Sequence, residues 1–137
     1  MDYFIDTNIF LRALVKENEK TFKECYQFLK LVEERRLRAL TSSLVLAEIE
    51  WVLGSFYKFE KTKVVQALGS VLSLKGLQII DAINPRLALE IFREKNVKFI
   101  DALIASDPRI FKKEVIVVSY DRDFDKIGVL RKKPKEF

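Results

Sequence analysis

Val115-Ile116-Val117-Val118-Ser119, followed by Tyr120-Asp121-Arg122-Asp123-Phe124-Asp125, is the stretch on which the fold class turns. Four β-branched residues in a row, with no polar alternation, predict a strand buried on both faces. Such strands belong to parallel sheets covered by helices on either side. Working outward, Tyr3-Phe4-Ile5 is a second short apolar run, stopped by Asp6. Arg38-Ala39-Leu40-Thr41 and Leu77 to Ile80 are weaker strand candidates. Between them the three- and four-residue apolar spacing predicts helices over Asn8–Val15, Thr21–Arg36, Leu44 to about Tyr57, and Thr62–Ser73. Lys75-Gly76 is read as the end of the last of these. Asn84-Pro85 is a cap followed by proline at a first helical position, opening a helix to about Lys95, and Phe99–Ser106 is a short helix closed by Asp107-Pro108. The basic tail Arg131-Lys132-Lys133-Pro134-Lys135 is expected to be solvated. Strands alternating with helices argue for an α/β fold with a mainly parallel sheet. Ligands of such sheets bind beyond the carboxyl ends of the strands. Asp6 and the Asp121–Asp125 cluster both fall there.

The 137 residues match one domain with one core, and residues 1–137 are read as a single unit. Apolar residues are 49% and charged residues 33%, with 4 Gly and 3 Pro, which excludes a disordered or low-complexity chain. Twenty-five Lys and Arg against 20 Asp and Glu give a net charge of +5, compatible with a polyanionic partner. There is no His and one Cys, Cys25. These absences exclude a Ser-His-Asp hydrolase, a Cys-His nucleophile pair, a His-dependent ribonuclease and any Cys/His zinc site. Chemistry must come from carboxylates, lysines, hydroxyls or bound cations. The acidic N-terminus and the lack of a long apolar run point to a cytoplasmic protein with no membrane segment. Trp51, Tyr57 and most of the 11 Phe are expected in the core rather than as base-stacking platforms, and Cys25 as an inert core thiol.

The acids each admit a plain reading and a functional one. Asp6 is either a helix cap or a ligand at a strand end. Asp121, Asp123 and Asp125 form either a solvated turn or part of a site. Glu48 falls among Leu44, Val45, Ile49, Val52 and Phe56 on the apolar stripe of its helix, where a carboxylate must be neutral, paired with Arg or Lys, or bound to a cation. Asp101 is the one polar residue of Phe99–Ala105, either a cap or a buried acid. A shared explanation is convergence on one sheet edge. Crowded carboxylates repel and raise one another's pKa, and a hard divalent cation resolves this. With oxygen donors alone, Mg²⁺ or Mn²⁺ is favoured over Zn²⁺.

Four blocks together resemble the PIN-domain family, above all the VapC-type toxins of toxin–antitoxin pairs. They are Phe4-Ile5-Asp6-Thr7-Asn8, Ser42 to Glu48, Phe99 to Ala105, and Val118 to Phe124, in the family's order. The resemblance implies a three-layer fold: a central parallel sheet with the first strand in the middle and helices on both faces. It implies a metal-dependent endoribonuclease whose acidic quartet is Asp6, Glu48, Asp101 and Asp121, with Asp123 as a further acid. Thr7, Asn8 and Ser119 match the polar residues beside the quartet. It further implies homodimers and a neutralising antitoxin, or in other members a housekeeping RNA-processing role. Water as nucleophile predicts 5′-phosphate and 3′-hydroxyl products. Arg12 and Arg122 are candidates for holding the RNA backbone, or else belong to a solvated face. Three rivals remain at this point. A haloacid-dehalogenase-like phosphotransferase needs a second acid where Asn8 stands. A receiver domain would take Asp81 as phosphoacceptor but lacks its lysine after the last strand. The last is an inactive RNA- or protein-binding module.

Overall fold

A computed structural model describes the whole chain, Met1–Phe137. β1 (Asp2–Ile5) leads into α1 (Thr7–Leu14) and α2 (Glu19–Glu33). β2 (Ala39–Thr41) precedes α3 (Ser43–Ser55) and α4 (Lys61–Leu72). β3 (Leu77–Ile79) is followed by α5 (Pro85–Glu94), α6 (Phe99–Ala105) and α7 (Pro108–Phe111). β4 (Val115–Val118), α8 (Asp123–Ile127), β5 (Arg131–Lys132) and a 3-10 turn over Pro134–Glu136 complete the chain. The sheet order is β3-β2-β1-β4-β5, and every pairing is parallel. The three-layer α/β architecture with β1 central is therefore present. No helix is long and apolar enough to cross a membrane.

Local chemistry explains the boundaries. Asn18, Ser42 and Asn84 each accept a backbone N–H from the first turn of α2, α3 and α5, satisfying groups a helix start leaves unpaired. Pro85 follows its cap as expected. All four residues of β4 are buried, as their unbroken β-branched run requires. Gly76 is not the helix terminator expected from the sequence: α4 stops at Leu72 and is closed by Ser73. A Cβ on Gly76 would lie 2.2 Å from the Val32 carbonyl oxygen, so glycine is needed where the entry to β3 crosses the end of α2.

Four further expectations are corrected. Asp107-Pro108 does not merely close α6; it caps and opens α7. Arg131 and Lys132 are not a solvated tail but pair with Val117 and Val118 as the edge strand β5. Trp51 is 64% exposed and Phe56 71%, while of the phenylalanines Phe4, Phe10, Phe28 and Phe124 are buried. The buried arc of α3 is Val45, Ile49 and Leu53, one residue-width round from the predicted stripe, so Glu48 stands at its margin and half-buried. Cys25 is buried as expected.

Strands run from β1 towards β2 and β3 on one side, and β4 and β5 lie on the other. The order thus reverses between β1 and β4. A crevice opens beyond the carboxyl ends of strands at such a reversal.

Candidate active site

Asp6 sits at that reversal. Its backbone N–H donates to the Val118 carbonyl at 3.1 Å, carrying the β1–β4 pairing one residue past the strand. Its side chain is 4% exposed. Oδ1 accepts the Thr7 N–H at 2.8 Å, and Oδ2 accepts the Ser119 hydroxyl at 2.6 Å. Asp6 is both helix cap and cavity wall, so its two readings are compatible. Ser119, fully buried after β4, also accepts the Asp121 N–H at 2.9 Å. One hydroxyl therefore ties the acid after β1 to the acid after β4. Arg131 fixes this turn from outside, donating to the Ser119 carbonyl at 3.1 Å while its other nitrogens hold Asp125 at 3.0 and 2.7 Å.

Asp101 enters from the first turn of α6 and is 3% exposed. Its Oδ2 is shielded from solvent and has no hydrogen-bond partner; the nearest cation is the Lys98 ammonium at 3.6 Å. Lys98 also forms a short ion pair with Asp121. Glu48 completes the ring from α3 and makes no salt bridge, which removes the ion-pair explanation for its place on the helix. Asp6, Thr7, Asn8, Glu48, Lys98, Asp101 and Asp121 line one cavity of about 170 Å³. Thr7 Oγ1 and Asn8 Oδ1, in residues that line this cavity, are also buried without partners.

The electrostatics follow from burial and crowding. Burial, with the charges of Glu48 and Asp121 adding, pushes the Asp6 carboxyl up to about 6 despite the Ser119 and Thr7 hydrogen bonds. Asp101 is pushed up to about 9, first by burial and then by Asp6 and a hydrogen bond shared with Asp121, against the pull of Lys98. Burial works the same way on Asp121, but the Lys98 ammonium and the Asp123 N–H outweigh it and hold that carboxyl below its usual range. One site thus contains carboxyls driven in opposite directions.

Asp123 is close by but differently employed. One oxygen from each of Asp101, Asp121 and Asp123 lies within 4.8 Å of the others. Yet Asp123 Oδ2 accepts the Lys98 N–H at 3.0 Å and Oδ1 lies 3.6 Å from the Lys126 ammonium. Arg12 does not line the acidic cavity. It donates to Thr21 Oγ1 at 3.1 Å, stacks 4.7 Å from the Tyr120 ring centre, and faces a neighbouring cleft of about 190 Å³ that Asn8 also borders. Arg122 is exposed at the start of α8. Lys98 escaped the sequence reading; its position three residues before Asp101, one helical turn away, was the available signal.

The residues fit a hard divalent cation. The donors are all oxygens, one buried carboxylate oxygen lacks a partner, and a lysine ammonium already stands among the acids where positive charge is required.

A family model for the PIN domain matches residues 3–130. No curated protein matches at a significant level. Among solved structures, the chain is similar to VapBC2 from Rickettsia felis, bound to a DNA fragment from their promoter, with TM-score 0.68 and 25% identity over 97% of this chain and 98% of that one. It is similar in fold to VapC20 of Mycobacterium tuberculosis, a sarcin-ricin loop cleaving toxin, with TM-score 0.66 and 18% identity over 93% and 96% of the two chains. It is similar in fold, too, to FitAcB from Neisseria gonorrhoeae, with TM-score 0.63 and 17% identity over 98% and 99%.

Proposed function

The chain belongs to the PIN domain family, and we propose that it is a metal-dependent endoribonuclease acting as the toxin of a toxin–antitoxin pair. The observation that carries this reading is the convergence of Asp6, Glu48, Asp101 and Asp121 on one cavity at the reversal of strand order, with a buried carboxylate oxygen left unpartnered. Asp6, Asp101 and Asp121 would hold Mg²⁺ or Mn²⁺, with Glu48 assisting directly or through water and Asp123 keeping α6 in place. When bound, the ion lowers the pKa of a water and neutralises charge on the phosphate. The chain's own residues do the rest. Ser119 fixes the spacing of Asp6 and Asp121, and Thr7 and Asn8 line the same cavity beside them. Glu48, at the cavity margin, is placed to orient an attacking water. In-line attack by water leaves a 5′-phosphate and a 3′-hydroxyl.

Similarity to VapBC2 supports the toxin reading over a housekeeping nuclease; the two share chemistry and differ in partner. The partners we infer are single-stranded RNA, a second copy of the chain and an antitoxin encoded beside it. The receiver-like reading loses its support, because both oxygens of Asp81 accept hydrogen bonds from Ser43, each at 2.7 Å, and so cap α3.

The test is incubation of the purified protein with single-stranded RNA and Mn²⁺. The expected result is endonucleolytic cleavage to 5′-phosphate ends, abolished by chelator and by Asp6→Asn. Intact RNA under these conditions, or acylphosphate labelling of an Asp by a small phosphodonor, would overturn the reading.

A further inference from the structure

Lys98 is placed unlike any other cation in the chain. Its backbone N–H is held by Asp123 Oδ2 at 3.0 Å, which anchors the residue at the start of α6. From that anchor the side chain turns back into the acidic cavity, pairing with Asp121 and lying 3.6 Å from the otherwise unpartnered Asp101 Oδ2. The acids it touches are buried or nearly so, whereas the lysine side chain is 63% exposed at the rim. A long flexible stem with an open path to solvent can leave; the acids cannot. A divalent cation seeking Asp101 and Asp121 meets an ammonium already there, and two positive groups so close repel.

We propose that Lys98 is an internal counter-ion, which holds the acids together in the metal-free protein, must be displaced when a divalent cation enters, and then stands at the cavity mouth to hold a phosphate of the RNA. The inference rests on the metal-dependent reading above and adds to it a residue that sets metal affinity. It makes metal occupancy and phosphate binding cooperate. Cation entry frees a positive charge at the rim, and a phosphate there disfavours the lysine's return.

The experiment is calorimetric titration of the full chain with Mn²⁺ alone, without RNA. Lys98→Met is expected to bind Mn²⁺ about tenfold more tightly than wild type, the scale of one lost charge competitor. Lys98→Arg, which keeps the charge, stays near wild type. In RNA cleavage at saturating Mn²⁺, Lys98→Met raises KM more than it lowers kcat. Equal or weaker Mn²⁺ binding by Lys98→Met overturns the proposal, and if wild type still cuts RNA it does so without touching the nuclease reading. Failure of every form to bind Mn²⁺ or to cut RNA overturns both. Should Lys98→Met not fold, amine-reactive labelling of wild type read by mass spectrometry decides: Mg²⁺ should increase modification of Lys98 relative to Lys75, and an unchanged ratio overturns the displacement.

Discussion

Asp101 carries a buried oxygen with no partner, and replacing that residue separates stability from activity. Asp101→Asn is neutral in both states and so needs none of the proton uptake on folding that a carboxyl raised to about 9 requires near neutral pH; in chelator the variant should melt several degrees above wild type while RNA cleavage falls to background. A lower melting temperature would mean that the carboxylate is already compensated. Ser119 calls for the opposite experiment. Ser119→Ala leaves Asp6 Oδ2 and the Asp121 N–H without their shared hydroxyl, and Mn²⁺ affinity should drop by about 10- to 100-fold, as for other partners of metal-binding carboxylates. At this scale Asp6, Glu48, Asp101 and Asp121 were visible beforehand because an acid on an apolar strand end or helix face contradicts its surroundings. Lys98 was not, since a lysine between Val97 and Phe99 looks like any solvated residue until the chain is folded. Trp51 misled for a related reason: its size suggests burial, but helical phase puts it opposite Val45, Ile49 and Leu53.

Among the elements, the last turn and strand were the least legible. β5 is two residues long and both are charged, so it has no apolar pattern to show; it exists because Leu130 and Lys132 accept hydrogen bonds from Val117 and Ser119. Arg131 links that strand to the Ser119 carbonyl and to Asp125. Arg131→Met should therefore destabilise the protein by about 1–3 kcal/mol, the range for leaving a buried acceptor, here the Ser119 carbonyl, without its donor, and also weaken Mn²⁺ binding although Arg131 does not line the cavity. Unchanged Mn²⁺ affinity in a folded variant would show that β5 does not steady the turn. Gly76 gives a purely structural control. Gly76→Ala forces a carbon against the Val32 carbonyl, with an expected loss of about 1–3 kcal/mol in urea unfolding and no change in metal affinity. The longer helices were legible because their apolar spacing is regular and, for α3 and α5, agrees with a cap: Ser42 and Asn84 fall within two residues of the predicted starts, whereas α2 begins at Glu19, two residues before the predicted Thr21.

Across the whole molecule, the acid cluster sets how stability responds to pH. Asp6 at about 6 and Asp101 at about 9 both lie above the roughly 3.9 of an unfolded Asp. Over that window the folded chain binds more protons than the unfolded one, so metal-free stability falls as pH rises, through about 6 and then about 9. Asp81 and Asp125, held low by Ser43 and Arg131, have the opposite sign and matter only as pH drops through the ordinary Asp range near 4. Thermal melts in chelator should decline from about pH 5 to pH 9, and saturating Mg²⁺ should flatten the decline. A profile in chelator with no slope would contradict the raised carboxyls. The central place of β1 has one more consequence, for how the protein is made. The Asp6–Ser119 hydrogen bond joins positions 113 residues apart, and β1 waits for β4 along one whole side. A nascent chain that has yet to present Asp121 to the folded part has only half of its acidic cavity, so the site comes into being late in synthesis, once β4 and the turn after it have been made.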